Sequence, residues 1–217
     1  MPASDGEQPI EYGIYTAQDA DAMARLLGEV FSRRDPPAVA VGLTAPEFEA
    51  FVRLYCSKAA AEGLTILARH AGTLELAGAL LAEDSALAPP GGMERLSPKF
   101  EPIFDILGQL DAEYRCGRPP HPGESLHLFL LGVAESAAGR GVAQHLVTTC
   151  LEYGARKGYQ LSVTEATNTV SQHIFRKLGF VERVRRSYSS HRFAGRAMFA
   201  SIAEQGGPIL MDRSLAT

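Results

Sequence analysis

The chain has 217 residues, 46% of them hydrophobic and 21% charged, which allows one domain with a sizeable core. A net charge of −4 without Lys/Arg runs argues against nucleic acid as the main partner, because binding to a phosphate backbone needs a concentrated basic surface. Cys56, Cys116 and Cys150 are odd in number and widely spaced, the opening MPASDGEQP lacks the marks of a leader, and no apolar run approaches the roughly 20 residues of a membrane helix. The expectation is a cytoplasmic protein with reduced thiols, no structural metal and no membrane anchor.

In chain order, residues 1–9 are expected as a flexible tail, Ile10–Tyr15 as a first strand and Asp19–Phe31 as an amphipathic helix carrying Met23, Leu26, Leu27 and Val30 on one side. The segment Arg33-Arg34-Asp35-Pro36-Pro37 breaks that helix, since each proline lacks an N–H and biases its predecessor toward extended geometry. Thr44-Ala-Pro-Glu47 is a capping box opening a second helix to about Glu62. Thr65–Arg69 and Leu74–Leu81 read as a hairpin. An insertion follows over 83–125. It is rich in proline and carries a helix with Phe100, Ile103, Phe104, Leu107 and Leu110 on one face, suited either to a pocket wall or to covering a sheet edge.

Leu126–Val133 is an almost unbroken apolar run, as expected of a strand covered on both faces. A small-residue loop through Gly139 and Gly141 leads into a helix on which Val142, Leu146, Cys150 and Gly154 recur, ending at Gly158. Helix N-termini leave N–H groups unpaired and carry the positive end of the dipole, and glycines let phosphate oxygens approach closely. A P-loop is excluded because no Gly-Lys-Ser/Thr follows, and the dinucleotide fingerprint because Gln144 stands where glycine is required. Further on come a strand at Leu161–Thr164, a helix at Val170–Leu178 and strands at Phe180–Tyr188 and Ile209–Met211, with Arg183, Arg185 and Arg186 on a solvated face.

The segment Ala138-Gly139-Arg140-Gly141-Val142-Ala143 resembles the acyl-coenzyme A pyrophosphate loop of the GNAT N-acetyltransferases, Arg/Gln-x-x-Gly-x-Gly/Ala, except at its first position. Asn168 to Phe180, NTVSQHIFRKLGF, is similar to the family's second motif. Four further likenesses, FSRRDPP, KFEPIFDILGQLDAEY, TEATN and the C-terminal tail, resemble the arylalkylamine N-acetyltransferase-like branch. The resemblance implies an α/β (α+β) GNAT fold over 1–217: a mixed sheet splayed between the fourth and fifth strands, flanked by helices, with a helical insertion between the third and fourth.

It also implies an acetyl-CoA-dependent N-acetyltransferase acting in a ternary complex on a small primary amine, an (aryl)alkylamine or polyamine, as monomer or homodimer. The alternatives are a protein N-terminal or lysine acetyltransferase and a noncatalytic acyl-CoA sensor. Cofactor contacts carried over from the family fall on Leu131, Gly132 (at a bulge), Val133, residues 138–143, Asn168, Ser171 and Phe175. An alkylamine with a pKa near 10.4 is neutral in only about one molecule in a thousand at pH 7, so a base is useful. Asp35 and His127 compete for that role. Phe175 stands where many relatives place an acidic tyrosine, so Ser171, water or Tyr188 could assist the leaving thiolate, a tolerable leaving group when unprotonated. Phe100, Phe104 and Tyr188 are the expected acceptor contacts.

Overall fold

The structure is a computed structural model describing residues 9–216, so the tail expected at the N-terminus lies, Pro9 aside, outside the described residues. Seven strands form one sheet in the order β1-β2-β3-β4-β5-β7-β6, namely β1 Ile10–Ile14, β2 Ile66–His70, β3 Leu76–Asp84, β4 Ser125–Val133, β5 Leu161–Ala166, β6 Val181–Arg185 and β7 Ile209–Ser214. All neighbours are antiparallel except β4 and β5.

Side chains alternate across the strands and so build two cores. Leu67, Ala79, Leu81 and Leu130 pack with α1 (Ala20–Arg34), α3 (Ala45–Glu62) and α4 (Glu101–Arg115). Ile66, Ala68, Leu80, Leu126 and Leu128 pack with α5 (Val142–Arg156) and with Phe175 of α6 (Thr169–Lys177).

The FSRRDPP turn is tighter than its prolines suggest. Helix α1 runs through Arg33 and Arg34, and a short helix α2, Pro36–Ala40, starts immediately after Asp35. Prolines fit there because the first helical positions need no N–H partner. Asp35 ends one helix with its N–H on the Phe31 carbonyl and caps the next, its Oδ2 accepting from Ala38 N–H at 3.2 Å. The Thr44 capping box is present: Glu47 Oε2 accepts from Thr44 N–H at 2.8 Å, and Thr44 Oγ1 accepts from Glu47 N–H at 3.4 Å. Strands β3 and β4 extend through Asp84 and from Ser125, which leaves residues 85–124 as the connection carrying α4.

The bulge in β4 lies at Phe129, not at Gly132. Register with β3 steps from Leu81↔Leu130 to Ala82↔Leu128, leaving Phe129 without an opposite residue. The extra residue changes the parity of the strand, so Phe129 and Leu130 both join the α1/α3/α4 core, whereas Leu128 and Leu131 face the other one. Gly132 has a different cause. A Cβ there would sit 2.7 Å from Leu27 Cδ2 and 3.5 Å from Val30 Cγ1, so glycine lets α1 lie against the strand. Gly132→Ala is expected to lower stability by about 1–3 kcal/mol through overpacking, read as a reduced Tm.

Candidate active site

Strands β4 and β5 pair over only three residues, from Ser125↔Leu161 to His127↔Val163. Thr164 Oγ1 still donates to the Leu128 carbonyl at 2.9 Å, but beyond that point the strands part. On its other side β4 continues along β3, where Ala134 N–H reaches the Ala77 carbonyl at 2.9 Å. N–H groups alternate sides along an antiparallel pair, so the Val133 N–H points away from β3, into the gap that β5 has vacated.

Two cavities adjoin that gap. One, of about 530 Å³, is lined by Val30, Leu131, Val133, Ala143, Asn168 and Ser171 among others, on the side of the α5 N-terminus. The second, of about 360 Å³, is walled by the aromatic side chains of α3 and α4 and reaches Asp35, Glu83, His127, Glu165 and Thr167. Leu131, Asn168 and Ser171 line both. They form the junction.

The α5 end of the first cavity has the features an anion requires. Gly139 and Gly141 hold φ of +77° and +76°, a region L side chains rarely adopt, and a Cβ on Gly139 would meet nothing within 4 Å. Gly141 is the N-cap of α5, so the unpaired amides and the positive dipole end of that helix begin there. The expected contacts at 138–143 therefore occupy one continuous turn. Val142, however, is buried under the sheet at 2% exposure and can offer only its backbone. Asn168 caps α6, its Oδ1 accepting from Ser171 N–H at 2.9 Å, and Ser171 Oγ donates to the Asn168 carbonyl at 2.9 Å.

Asp35 is 7% exposed and sits in the wall of the second cavity. Its Oδ1 accepts from Thr167 Oγ1 at 2.6 Å, and Thr167 in turn receives the Tyr188 hydroxyl on its carbonyl at 2.7 Å. Burial raises the Asp35 carboxyl to about 6, although both hydrogen bonds oppose the rise. A carboxylate tuned there can take a proton near neutrality.

His127 has a different environment. Its Nδ1 lies 3.1 Å from Glu83 Oε1 and its Nε2 lies 2.7 Å from Glu165 Oε2. Burial works against its charge, but Glu165 and Glu83 outweigh that and raise the imidazole to about 10. At neutral pH it is an imidazolium with both nitrogens engaged, and it has no lone pair with which to act as the base read from its strand position.

The expected acceptor contacts divide. Phe100 and Phe104 both line the second cavity, stacked at 5.5 Å, but Phe100 is 2% exposed and Phe104 36%. Tyr188 lines neither cavity: β6 ends at Arg185, and Tyr188 is fully buried with its hydroxyl committed to Thr167. It supports the site from beneath. Phe175 is buried, edge-on to Phe180 at 5.0 Å, and lines the second cavity. Arg183, Arg185 and Arg186 are paired with Asp212, Glu182 and Glu113. Sequence reading missed Thr167, Glu83 and Glu165 as site residues. The available signal was a carboxylate inside each of two otherwise buried strands, LAGALLAED and LSVTEA.

The acetyltransferase (GNAT) family model matches residues 105–180, spanning the insertion helix, the glycine turn and the second motif. Among solved structures, the C-terminal condensation domain of Ebony in complex with beta-alanyl-dopamine superposes with a TM-score of 0.87 at 14% identity, over 95% of this chain and 99% of that one. Arylalkylamine N-acetyltransferase 2 from Aedes aegypti gives 0.78 at 20% identity, over 95% and 99%. Drosophila melanogaster polyamine N-acetyltransferase, which catalyses formation of N-acetylagmatine, gives 0.74 at 17% identity, over 95% and 100%. Residues 105–180 thus match the acetyltransferase (GNAT) family, and the fold of the whole chain resembles that of the arylalkylamine N-acetyltransferases. Among the described residues no helix is long and apolar enough to cross a membrane.

Proposed function

We propose that the chain, acting as one domain in the cytoplasm, transfers acetyl from acetyl-CoA to a small primary amine by direct attack in a ternary complex. The observation that carries this reading is the meeting of two cavities at Leu131, Asn168 and Ser171, with the Asp35 carboxylate in the wall of one and a glycine turn beside the other. Acetyl-CoA supplies an activated acyl group and a stable thiolate leaving group. The turn at 138–143 would hold its pyrophosphate through backbone amides, and Leu131 and Val133 would flank its arm in the gap between β4 and β5. The Val133 N–H, pointing into that gap, is a fixed donor for charge developing on a carbonyl oxygen.

On the acceptor side, Asp35 takes the amine proton. Thr167 and the N-cap bond to Ala38 fix its orientation, and its position at the start of a proline-stiffened helix restricts its movement. With phenylalanine at 175, the departing thiolate leaves unprotonated or is met by Ser171 or water. A thiol-release assay with a panel of small amines tests the reading; no release with any amine would remove it.

Helix α4 supplies Ile103, Phe104 and Leu107 to the acceptor cavity, with Phe100 just before its first turn, and also braces β7, where Tyr114 donates to Asp212 at 2.7 Å. The two roles separate by residue. Phe104→Ala is expected to raise the amine KM several-fold with little change in Tm, since its ring is part exposed. Phe100→Ala, which removes a ring packed on Phe48 and Phe51, is expected to cost about 3–5 kcal/mol of stability. Equal effects of Phe104→Ala on the KM of amine and cofactor would exclude it from the acceptor pocket.

A further inference from the structure

The acceptor cavity contains a charged cluster for which proton removal by Asp35 has no use. Glu83 on β3, His127 on β4 and Glu165 on β5 line it, and Lys58 and Glu62 on α3 stand behind them. Lys58 bridges Glu62, at 3.0 Å, and Glu83. Glu62 Oε2 also accepts from Asp84 N–H at 2.7 Å. Both oxygens of Glu83 and both nitrogens of His127 are taken.

One carboxylate remains half used. Glu165 accepts from His127 on Oε2, and its Oε1 has no hydrogen-bond partner among the described residues. Ser85, in the wall of the same cavity, has a buried hydroxyl without a partner. Three carboxylates face two cations here, leaving one net negative charge in a setting where uncompensated charge is costly. Phe51, Tyr55 and Phe129 line the same cavity, the Phe129 ring 5.2 Å from the His127 ring, and an aromatic lining favours cations further. A neutral hydroxyl would satisfy the open oxygen but leave the charge. A third cation, brought by the acceptor, would satisfy both.

The spacing suits one short molecule. Glu165 and Thr167 are two residues apart on extended chain, on the order of 7 Å, and Thr167 holds Asp35. We propose that Glu165, held by His127, selects the acceptor by pairing with a second group on it that is cationic at neutral pH, so that the preferred substrate is a short diamine or guanidinoamine and not an aryl monoamine. This rests on the acetyl transfer proposed above, with the reacting amine at Asp35 and the other cation at Glu165.

The test is steady-state transfer by the full chain with putrescine against butylamine and tyramine against phenethylamine. Wild type is expected to favour putrescine over butylamine about tenfold or more in kcat/KM, mainly through KM, and Glu165→Gln to bring the ratio near one. Glu165→Asp keeps the charge and is expected to keep most of the preference. Because the ratio is taken within each variant, a general loss of folded enzyme cancels. An unchanged ratio in Glu165→Gln overturns the proposal. So does a variant that instead loses a preference for tyramine over phenethylamine, which assigns the open oxygen to a ring hydroxyl. If no amine is acetylated, the transfer reading fails, and calorimetric titration of putrescine decides selection by itself: a Kd about tenfold weaker in Glu165→Gln supports it and an equal Kd overturns it.

Discussion

Asp35→Asn is expected to lower kcat/KM for the amine about 10²-fold or more while the Kd of acetyl-CoA stays unchanged. Asparagine can still accept from Ala38 N–H through its one oxygen, and its amide N–H can donate to the Thr167 hydroxyl oxygen, so the junction between α1 and α2 is preserved while the proton acceptor is lost. The carboxyl works as a base only when ionised, and burial holds it at about 6, so wild-type kcat/KM should rise with pH through that value. The variant should lack this limb. A limb at the same pH in both proteins would take the base role from Asp35.

Stability should move the opposite way. A carboxyl raised in the folded state from 3.8 to about 6 contributes stability that is present below the lower value and lost as pH rises through the upper one. Above that window the buried carboxylate costs on the order of 3 kcal/mol at most. Asp35→Asn should therefore melt above wild type at pH 7, with the difference closing as pH falls toward 4. Higher stability with lower activity is the pattern of a residue kept for chemistry. A Tm below wild type at pH 7 would instead trace the lost activity to damage at the helix junction.

Most elements of this fold were legible because they depend on local signals. The Thr44 capping box, the Gly141 helix start and the Asn168 cap each lie within a few residues of the structure they determine. What escaped was set across the sheet. The bulge at Phe129 exists only relative to β3, and nothing near Phe129 in the chain marks it. Glu83, His127 and Glu165 come from three strands, and their contacts span 44 and 38 residues of sequence. Hence His127 read alone looked like a base, whereas its two carboxylate neighbours make it a cation. Tyr188 was misplaced because β6 ends early and the chain turns inward, carrying the ring beneath Thr167. Asp35 was legible through its prolines, but its hydroxyl partner, 132 residues away, was not.

Gly141→Val is expected to weaken acetyl-CoA binding by at least tenfold, the largest effect of any single change outside the acceptor cavity. Two costs combine. A β-branched residue at φ +76° is a backbone outlier, and its side chain would project toward the helix end where phosphate oxygens must approach the amides. Within the protein itself the addition is tolerable, since a Cβ would meet only the His145 ring at 3.6 Å. Gly139→Val carries the same two costs without an internal contact, because the space beside Gly139 is open and any loss there reflects the strained turn and the blocked approach, not a clash inside the fold. Both variants should retain most of their Tm, and both should bind the cofactor weakly by calorimetry. Wild-type affinity in both would mean that the pyrophosphate is held elsewhere, and the first cavity would lose its assignment.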